Sequence, residues 1–123
     1  MKYAIYQIQF TTAQYKAINS NENVPAFKAR NDMMMDFAGH KMGSLAYEAF
    51  AAGYYTHVAN IEANTPNEVF EIGNIGPEES IERLTRMSSL SVGDVIVDEE
   101  GQCIVVAPVG FVAFSFNPKM AAA

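Results

Sequence analysis

An alternation of apolar and polar side chains runs through residues 2–10. Ala4 and every second residue from there to Phe10 are apolar, whereas Gln7 and Gln9 fall between them. This period of two is typical of a β-strand that buries one face and leaves the other to solvent. The segment therefore predicts a first strand whose glutamines are exposed.

Capping residues and the helical spacing of apolar positions predict five helices. Thr11 with Gln14, and Thr65 with Glu68, have the three-residue spacing of a capping box. Pro77 suits the first turn of a further helix. The predicted helices cover residues 11–18, 26–38, 44–53, 65–72 and 77–87.

Charge spacing supports the last of these helices. Glu79 and Arg83, and likewise Glu82 and Arg86, are four residues apart with the acid first, which is the order that stabilises a helix. Gly73 is expected to end the helix before it, because glycine is common just after a helical C-terminus.

The final third of the chain is predicted to be β-structure. Strands rich in Val, Ile and Phe are expected at residues 90–97, 102–106 and 111–116, and a turn at 98–101 joins the first two. A further strand is predicted at 54–62 from its β-favouring residues. With the helices, these strands predict an α+β fold whose mainly antiparallel sheet has about five strands.

Length, composition and charge narrow the class of protein. The 123 residues suit a single domain, expected at 1–118 with 119–123 as a loose tail. Half of the residues are hydrophobic, which excludes a disordered chain, and no apolar run approaches the length of about 18 residues needed to span a membrane. The net charge of −6 is concentrated in residues 60–100, which hold ten acidic and two basic side chains. This predicts one acidic face and disfavours nucleic acid as a partner.

Few side chains point to catalysis. His40 and His57 are the only histidines, and the single cysteine, Cys103, lies in an apolar segment, where a thiol usually acts as a small buried hydrophobe. We predict no metal site, cofactor or catalytic set, because such centres need several converging side chains. A small enzyme or ligand-binding domain that uses His57, Cys103 and Asp94 is the first alternative.

Methionines and carboxylates predict a protein-binding surface. Three consecutive methionines on a helix point in directions about 100° apart, so at least one must point away from the core. Exposed methionine adapts readily to binding partners, although a helix buried on two sides or the seam of a homodimer would also explain the run. The residues expected to contact a protein partner are Met33, Met34, Met35, Glu78, Glu79, Glu82, Asp98, Glu99 and Glu100.

A motif in residues 68–112 resembles a known group of proteins. The segment contains Gly73-Asn-Ile-Gly-Pro77, then Met87-Ser-Ser-Leu-Ser-Val-Gly-Asp-Val-Ile96, and later Val109-Gly-Phe111. It is similar to the YodL-like group of small proteins carried by tailed bacteriophages and other mobile elements. The resemblance implies an accessory protein acting in the host cytoplasm, and it brings no known catalytic residue. The motif positions are Gly73, Asn74, Gly76, Pro77, Gly93, Asp94, Gly110 and Phe111.

Together these features predict a non-catalytic accessory protein of bacteriophage type. It is expected to bind a host or phage protein through its acidic and hydrophobic surface, and not a membrane. A second alternative is a PUA-like RNA-binding module, since Val92-Gly-Asp-Val95 also occurs in small β-barrels of that kind. RNA binding would require a shared basic surface, and the residues available for it are Lys16, Lys28, Arg30 and Lys41.

Overall fold

The computed structural model describes residues 1–115, which form four α-helices and six β-strands. The helices are α1 (Thr12–Asn19), α2 (Pro25–Met34), α3 (Met42–Ala51) and α4 (Pro66–Ile75). The strands are β1 (Lys2–Ile8), β2 (Tyr55–Glu62), β3 (Ile81–Arg83), β4 (Val95–Val97), β5 (Cys103–Val106) and β6 (Phe111–Phe114).

All six strands belong to one antiparallel sheet with the order β3-β2-β1-β4-β5-β6. β1 lies inside the sheet, where Ala4 pairs with Asn60 of β2 on one side and with Val97 of β4 on the other. The structure confirms the predicted α+β single-domain fold. The sheet has one strand more than the five expected.

Helices cover both faces of this sheet. On one face, α2 and α3 contribute Met33, Met42 and Phe50 to a hydrophobic core. On the other face, α4 contributes Val69 and Ile72 to a second core. The sheet is therefore the middle layer of the molecule.

β1 is buried on both faces, which its alternating sequence does not indicate. Tyr6 packs against the core beneath α2 and α3, while Tyr3 and Ile5 belong to the core beneath α4. Gln7 is only 4% exposed, so the expectation of a solvent-facing glutamine at this position is wrong. The cause is tertiary: the segment before β4 covers this end of the strand and supplies hydrogen-bond partners to the Gln7 side chain.

The prediction of a helix over residues 77–87 is wrong. A short 3-10 turn spans Glu78–Ser80, and the chain then extends as β3, whose Glu82 pairs with Asn60 of β2. Backbone hydrogen bonds to the edge of β2 replace those of a helix in this segment. The predicted ion pairs change accordingly, because Arg83 binds Glu78 with an Nε–Oε1 distance of 2.6 Å.

Several element boundaries also differ from the prediction. α4 continues through Gly73 and ends at Ile75, and Gly76 adopts a φ of +112° as the chain leaves the helix. Gly73 instead allows close packing, since a Cβ at this position would lie 2.6 Å from Cδ1 of Leu90. The strand predicted over 90–97 begins only at Val95.

The C-terminal boundaries lie partly beyond the described chain. Phe116, at the predicted end of the last strand, and the predicted tail at 119–123 both lie outside the described residues. Between residues 1 and 115, no helix is long and apolar enough to cross a lipid bilayer.

Candidate functional site

The three residues of the enzymatic alternative lie in different surroundings. His57 stacks on Tyr6 and its Nε2 lies 2.8 Å from Oδ1 of Asn60. Cys103 is buried in the core beneath α2 and α3. Because β1 and β4 lie between the strands that carry them, His57 and Cys103 are roughly 14 Å or more apart, well beyond hydrogen-bond reach. Asp94 has partners of its own, described next.

Asp94 is a buried carboxylate held by two donors. Its Oδ2 accepts a hydrogen bond of 3.0 Å from Nε2 of Gln7 and one of 2.9 Å from the backbone N–H of Ser91. Gln7 also donates to the carbonyl of Ser88 and accepts from the Ser88 N–H, both at 3.0 Å. The Gln7 side chain therefore ties the Ser88–Asp94 segment to the end of β1.

The local backbone places this carboxylate. Gly93 has a φ of +94°, a backbone conformation that residues other than glycine rarely adopt. Its carbonyl accepts a 2.6 Å hydrogen bond from the hydroxyl of Tyr55. The Val106 N–H donates to the carbonyl of Asp94 at 2.8 Å. The turn at Gly93 thus directs Asp94 towards Gln7 just before β4 begins.

The second carboxylate oxygen of Asp94 keeps some exposed surface, although the residue is only 8% exposed. Among the described residues, Oδ1 accepts no hydrogen bond, and every buried polar side-chain atom has a partner. Oδ1 must therefore reach water, and Asp94 lines a cleft of about 220 Å³. Burial raises the pKa of Asp94 to about 6, although the hydrogen bonds from Ser91 and Gln7 and the charge of Arg30 act in the opposite direction.

This polar cleft lies at the end of β1 where Asp94 and Gln7 meet. Besides Asp94, its charged lining residues are Arg30 of α2 and Arg86 of the segment after β3. The remaining walls are polar or aromatic except for the aliphatic Ile8, and comprise Gln7, Ile8, Gln9, Phe10, Tyr15, Ser88, Ser89 and Ser91.

A different groove lies at the opposite end of β1. It has a volume of about 410 Å³, and Tyr3, Ile96 and Ile104 are among its apolar lining residues. Its charged side chains are all acidic and come from the turn between β4 and β5, namely Asp98, Glu99 and Glu100. Met1 also lines the groove, and its α-amino group is paired with Glu62. We call this feature the acidic groove.

The acidic residues of the groove are positioned by the turn itself. Oδ1 of Asp98 accepts 2.9 Å hydrogen bonds from the backbone N–H groups of Glu100 and Gln102. Oε1 of Glu99 accepts a 2.5 Å hydrogen bond from the backbone N–H of Lys2. The pKa of the buried Tyr3 hydroxyl is raised, first by burial and then by nearby carboxylates that include Asp98 and Glu99.

The acidic residues predicted to contact a partner fall into two separate groups. Glu82 shares a row of paired residues with Asn60, Ala4 and Val97, so it lies three strands, or roughly 14 Å, from the turn that begins at Asp98. The group around β3 comprises Glu78, Glu79 and Glu82, and the group at the groove comprises Asp98, Glu99 and Glu100.

The methionine run is divided between the core and the surface. Met33 is fully buried, so the expectation that it contacts a partner is wrong. α2 faces the sheet at this position, and Met33 packs in the core beneath it. Met34 and Met35 are exposed, as is Phe37, which is 73% exposed and was not among the predicted contact residues.

Most motif positions lie at turns or within secondary structure. Gly76, Gly93 and Gly110 have positive φ angles at the ends of α4 and at turns. Phe111 begins β6 and pairs with Val106. Asn74 lies in α4, and Pro77 follows it. Of these positions, only Asp94 lines the polar cleft.

The basic residues named for RNA binding are used in different ways. Lys28 forms an ion pair of 2.8 Å with Asp32, four residues along α2. Arg30 lines the polar cleft, with its guanidinium carbon 6.0 Å from the centre of the Phe10 ring.

Sequence reasoning missed Gln7, Ser88 and Ser91 as members of this site. The spacing of Ser91 and Asp94 is a local signal for a side chain that binds a nearby backbone N–H, but Gln7 is 87 residues from Asp94 and has no local signal. Comparison with protein-family models, curated proteins and solved structures finds no match.

Proposed function

We propose that this chain is a non-catalytic accessory protein that binds a basic segment of a partner protein in its acidic groove. The observation that carries this proposal is the chemistry of the groove, in which apolar side chains such as Ile96 and Ile104 lie beside three carboxylates and no basic side chain. A partner would insert an apolar side chain between flanking lysines or arginines.

The charges of the groove favour such a partner. Asp98, Glu99 and Glu100 take part in no ion pair among the residues described, so their charge is available to attract a basic surface. Complementary charge accelerates association and discriminates against acidic partners. Burial of Met1 and Ile104, two apolar groove residues that are still exposed or partly exposed, would then stabilise the complex.

The setting of this function is proposed from the sequence motif. The resemblance in residues 68–112 to proteins of tailed bacteriophages and mobile elements supports a role in the host cytoplasm, with a host or phage protein as the partner. The exposed Met34, Met35 and Phe37 offer a second adaptable surface, which would also suit the homodimer seam given above as an alternative.

Two variants with equal net charge test the groove. In the groove variant, Glu99→Gln is combined with Glu100→Gln, and glutamine at 99 can still accept the Lys2 hydrogen bond. In the control, Glu79→Gln is combined with Glu82→Gln near β3. Each protein is used for affinity capture from nuclease-treated bacterial lysate, with quantitative mass spectrometry of the bound proteins.

We expect the groove variant to lose most of the protein that the unmodified chain captures, and the control to retain it. Full capture by the groove variant would contradict the proposal. Equal losses in both variants would also contradict it, because they would show that only the total charge matters.

A further inference from the structure

We propose that the polar cleft binds the phosphate group of a small phosphorylated ligand between Arg30 and Arg86, and that binding is coupled to protonation of Asp94. This site is separate from the acidic groove and does not depend on the function proposed for it. Four observations support it: two arginines that form no ion pair among the described residues, serine hydroxyls without hydrogen bonds there, a carboxylate oxygen with some exposed surface, and aromatic walls.

The two arginines of the cleft are available to an anion. Arg83 is bound by Glu78, whereas neither Arg30 nor Arg86 forms an ion pair within residues 1–115. They approach the cleft from different parts of the fold, α2 and the segment after β3. A tetrahedral phosphate presents oxygens in several directions, so two guanidinium groups on different walls can bind it together.

Arg30 and Arg86 are both supported by the cleft itself. Arg30 lies over the ring of Phe10, a contact that orients a guanidinium group. The backbone carbonyl of Arg86 accepts a hydrogen bond from Nε2 of Gln9. The Phe10 contact therefore orients the Arg30 guanidinium before any ligand arrives, which lowers the entropic cost of binding. The Gln9 bond fixes only the backbone of Arg86, whose side chain is exposed.

Serine hydroxyls supply further donors. Ser88, Ser89 and Ser91 line the cleft, and none of their hydroxyls takes part in a hydrogen bond among the described residues. Hydroxyl donors beside arginines are well suited to phosphate oxygens.

Asp94 makes the site sensitive to protonation. In its charged form, Oδ1 would repel a phosphate in the cleft, whereas in its protonated form it can donate a hydrogen bond to it. The charged and titratable groups around it are Arg30 from α2, Arg86 from the segment after β3, Tyr15 from α1 and Tyr55 from β2. Burial, followed by the nearby charge of Asp94, raises the pKa of the Tyr55 hydroxyl, which therefore stays neutral.

The size of this coupling follows from the pKa of Asp94, which lies at about 6. If only the protonated form binds, roughly nine-tenths of the protein is competent at pH 5 and about one-tenth at pH 7. The apparent affinity should therefore fall about tenfold between these two pH values.

The aromatic side chains indicate what accompanies the phosphate. Phe10 and Tyr15 meet edge to face with ring centroids 5.5 Å apart, and both line the cleft. A ring carried by the phosphorylated ligand can pack on Tyr15, which is 54% exposed. The cleft volume of about 220 Å³ restricts the bound part to a small group.

Sulfate is the first probe, because it stays a dianion across the tested pH range and reports the protein's protonation alone. Binding is measured by calorimetry and by NMR titration at pH 5 and pH 7 on the full chain. The cleft variants are Arg86→Gln and Asp94→Asn. Arg83→Gln is the matched control, since it removes the same charge outside the cleft. Inorganic phosphate and acetate are titrated in parallel.

We expect saturable sulfate binding that weakens at least about tenfold in Arg86→Gln, as expected for the loss of a charged hydrogen bond, and less than twofold in Arg83→Gln. The unmodified chain should bind sulfate about tenfold more weakly at pH 7 than at pH 5, and Asp94→Asn should bind equally at both. Arg86→Lys, which keeps the charge, should recover part of the affinity and shows that a loss is not due to unfolding.

Three outcomes would overturn the proposal. Absence of saturable binding for both sulfate and phosphate would show that the cleft is not an anion-binding site. Equal losses in Arg86→Gln and Arg83→Gln would show that the anion responds only to net charge. Tighter binding of acetate than of sulfate or phosphate would assign the cleft to carboxylates. Loss of sulfate binding would leave capture by the acidic groove intact, so the two proposals fail separately.

Discussion

The two ends of the β1–β4 pair each carry an aspartate, one in an exposed turn and the other buried. Asp94 and Asp98 flank β4 and are roughly 13 Å apart along the chain. Asp98 accepts backbone hydrogen bonds within an exposed turn, whereas Asp94 is buried and is bound by a side chain from another strand. The antiparallel pairing of β1 with β4 places the start of β1 near Asp98 and its end near Asp94.

The difference shows that contacts with distant residues can change the pKa of a carboxylate, whereas a local turn positions it. The turn at Asp98 is a local arrangement of residues 98–102 and leaves the carboxylates free to attract a partner. The site at Asp94 requires Gln7 and Tyr55 from distant parts of the chain, and it converts burial into a changed affinity for protons.

The largest expected effect comes from replacing the buried carboxylate. Because the pKa of Asp94 is raised to about 6 in the folded protein from about 3.8, its protonation stabilises the fold below pH 4, and this stability is lost as the pH rises through 6. A shift of about two units corresponds to about 3 kcal/mol. Between pH 4 and pH 7, Asp94→Asn should therefore gain about 3 kcal/mol in unfolding free energy relative to the unmodified chain.

Urea denaturation followed by circular dichroism at a series of pH values measures this difference. Glu100→Gln, at the exposed end of β4, controls for the removal of one negative charge. A constant difference between Asp94→Asn and the unmodified chain at all pH values would show that Asp94 does not titrate as proposed.

A smaller effect is expected when the partner of Asp94 is removed. Gln7→Ala deletes three hydrogen bonds, two to partly buried backbone groups of Ser88 and one to the buried carboxylate of Asp94. We expect a loss of about 2 kcal/mol in unfolding free energy at pH 7, and a further rise in the pKa of Asp94. Gln9→Ala is the control, because this half-buried glutamine has one described bond, to the carbonyl of Arg86. An equal loss in both variants would contradict a special role for Gln7.

The smallest effect is expected from alanine substitution of the glycines on either side of β4. Gly93 and Gly101 both have a positive φ, so alanine at either position should cost about 1 kcal/mol in stability. Nothing lies within 4 Å of a Cβ built at Gly101, whereas one at Gly93 meets Met33. We expect Gly93→Ala alone to weaken sulfate binding, as measured by calorimetry. Equal sulfate affinity in the two variants would show that the turn at Gly93 does not contribute to sulfate binding in the cleft.

Features set by neighbouring residues could be predicted from the sequence. The Thr11 capping box is present in full, with the Thr11 and Gln14 side chains each accepting a hydrogen bond from the other residue's backbone N–H. Thr65 likewise accepts from the N–H of Glu68. All of the described strands except β3, and four of the five predicted helices, follow from such local patterns, and so does the class of the fold.

Features set by distant partners could not be predicted. Ile81 and its neighbours have charges and apolar residues at helical spacing, yet pairing with β2 overrides that preference. The role of Gln7 depends on a hydrogen bond to a residue 87 positions later. The separation of the acidic residues into two groups depends on strand order, which no local pattern encodes.

The position of β1 in the middle of the sheet has a consequence for how the protein folds. Ala4 pairs with Val97, which is 93 residues later in the chain, so this strand keeps an unpaired edge until β4 has been synthesised. Contacts between such distant segments make folding slow and expose hydrophobic strands for longer. During translation, the nascent chain therefore carries Ile5 and its neighbours unprotected, and a ribosome that stalls before β4 would release a product prone to aggregation.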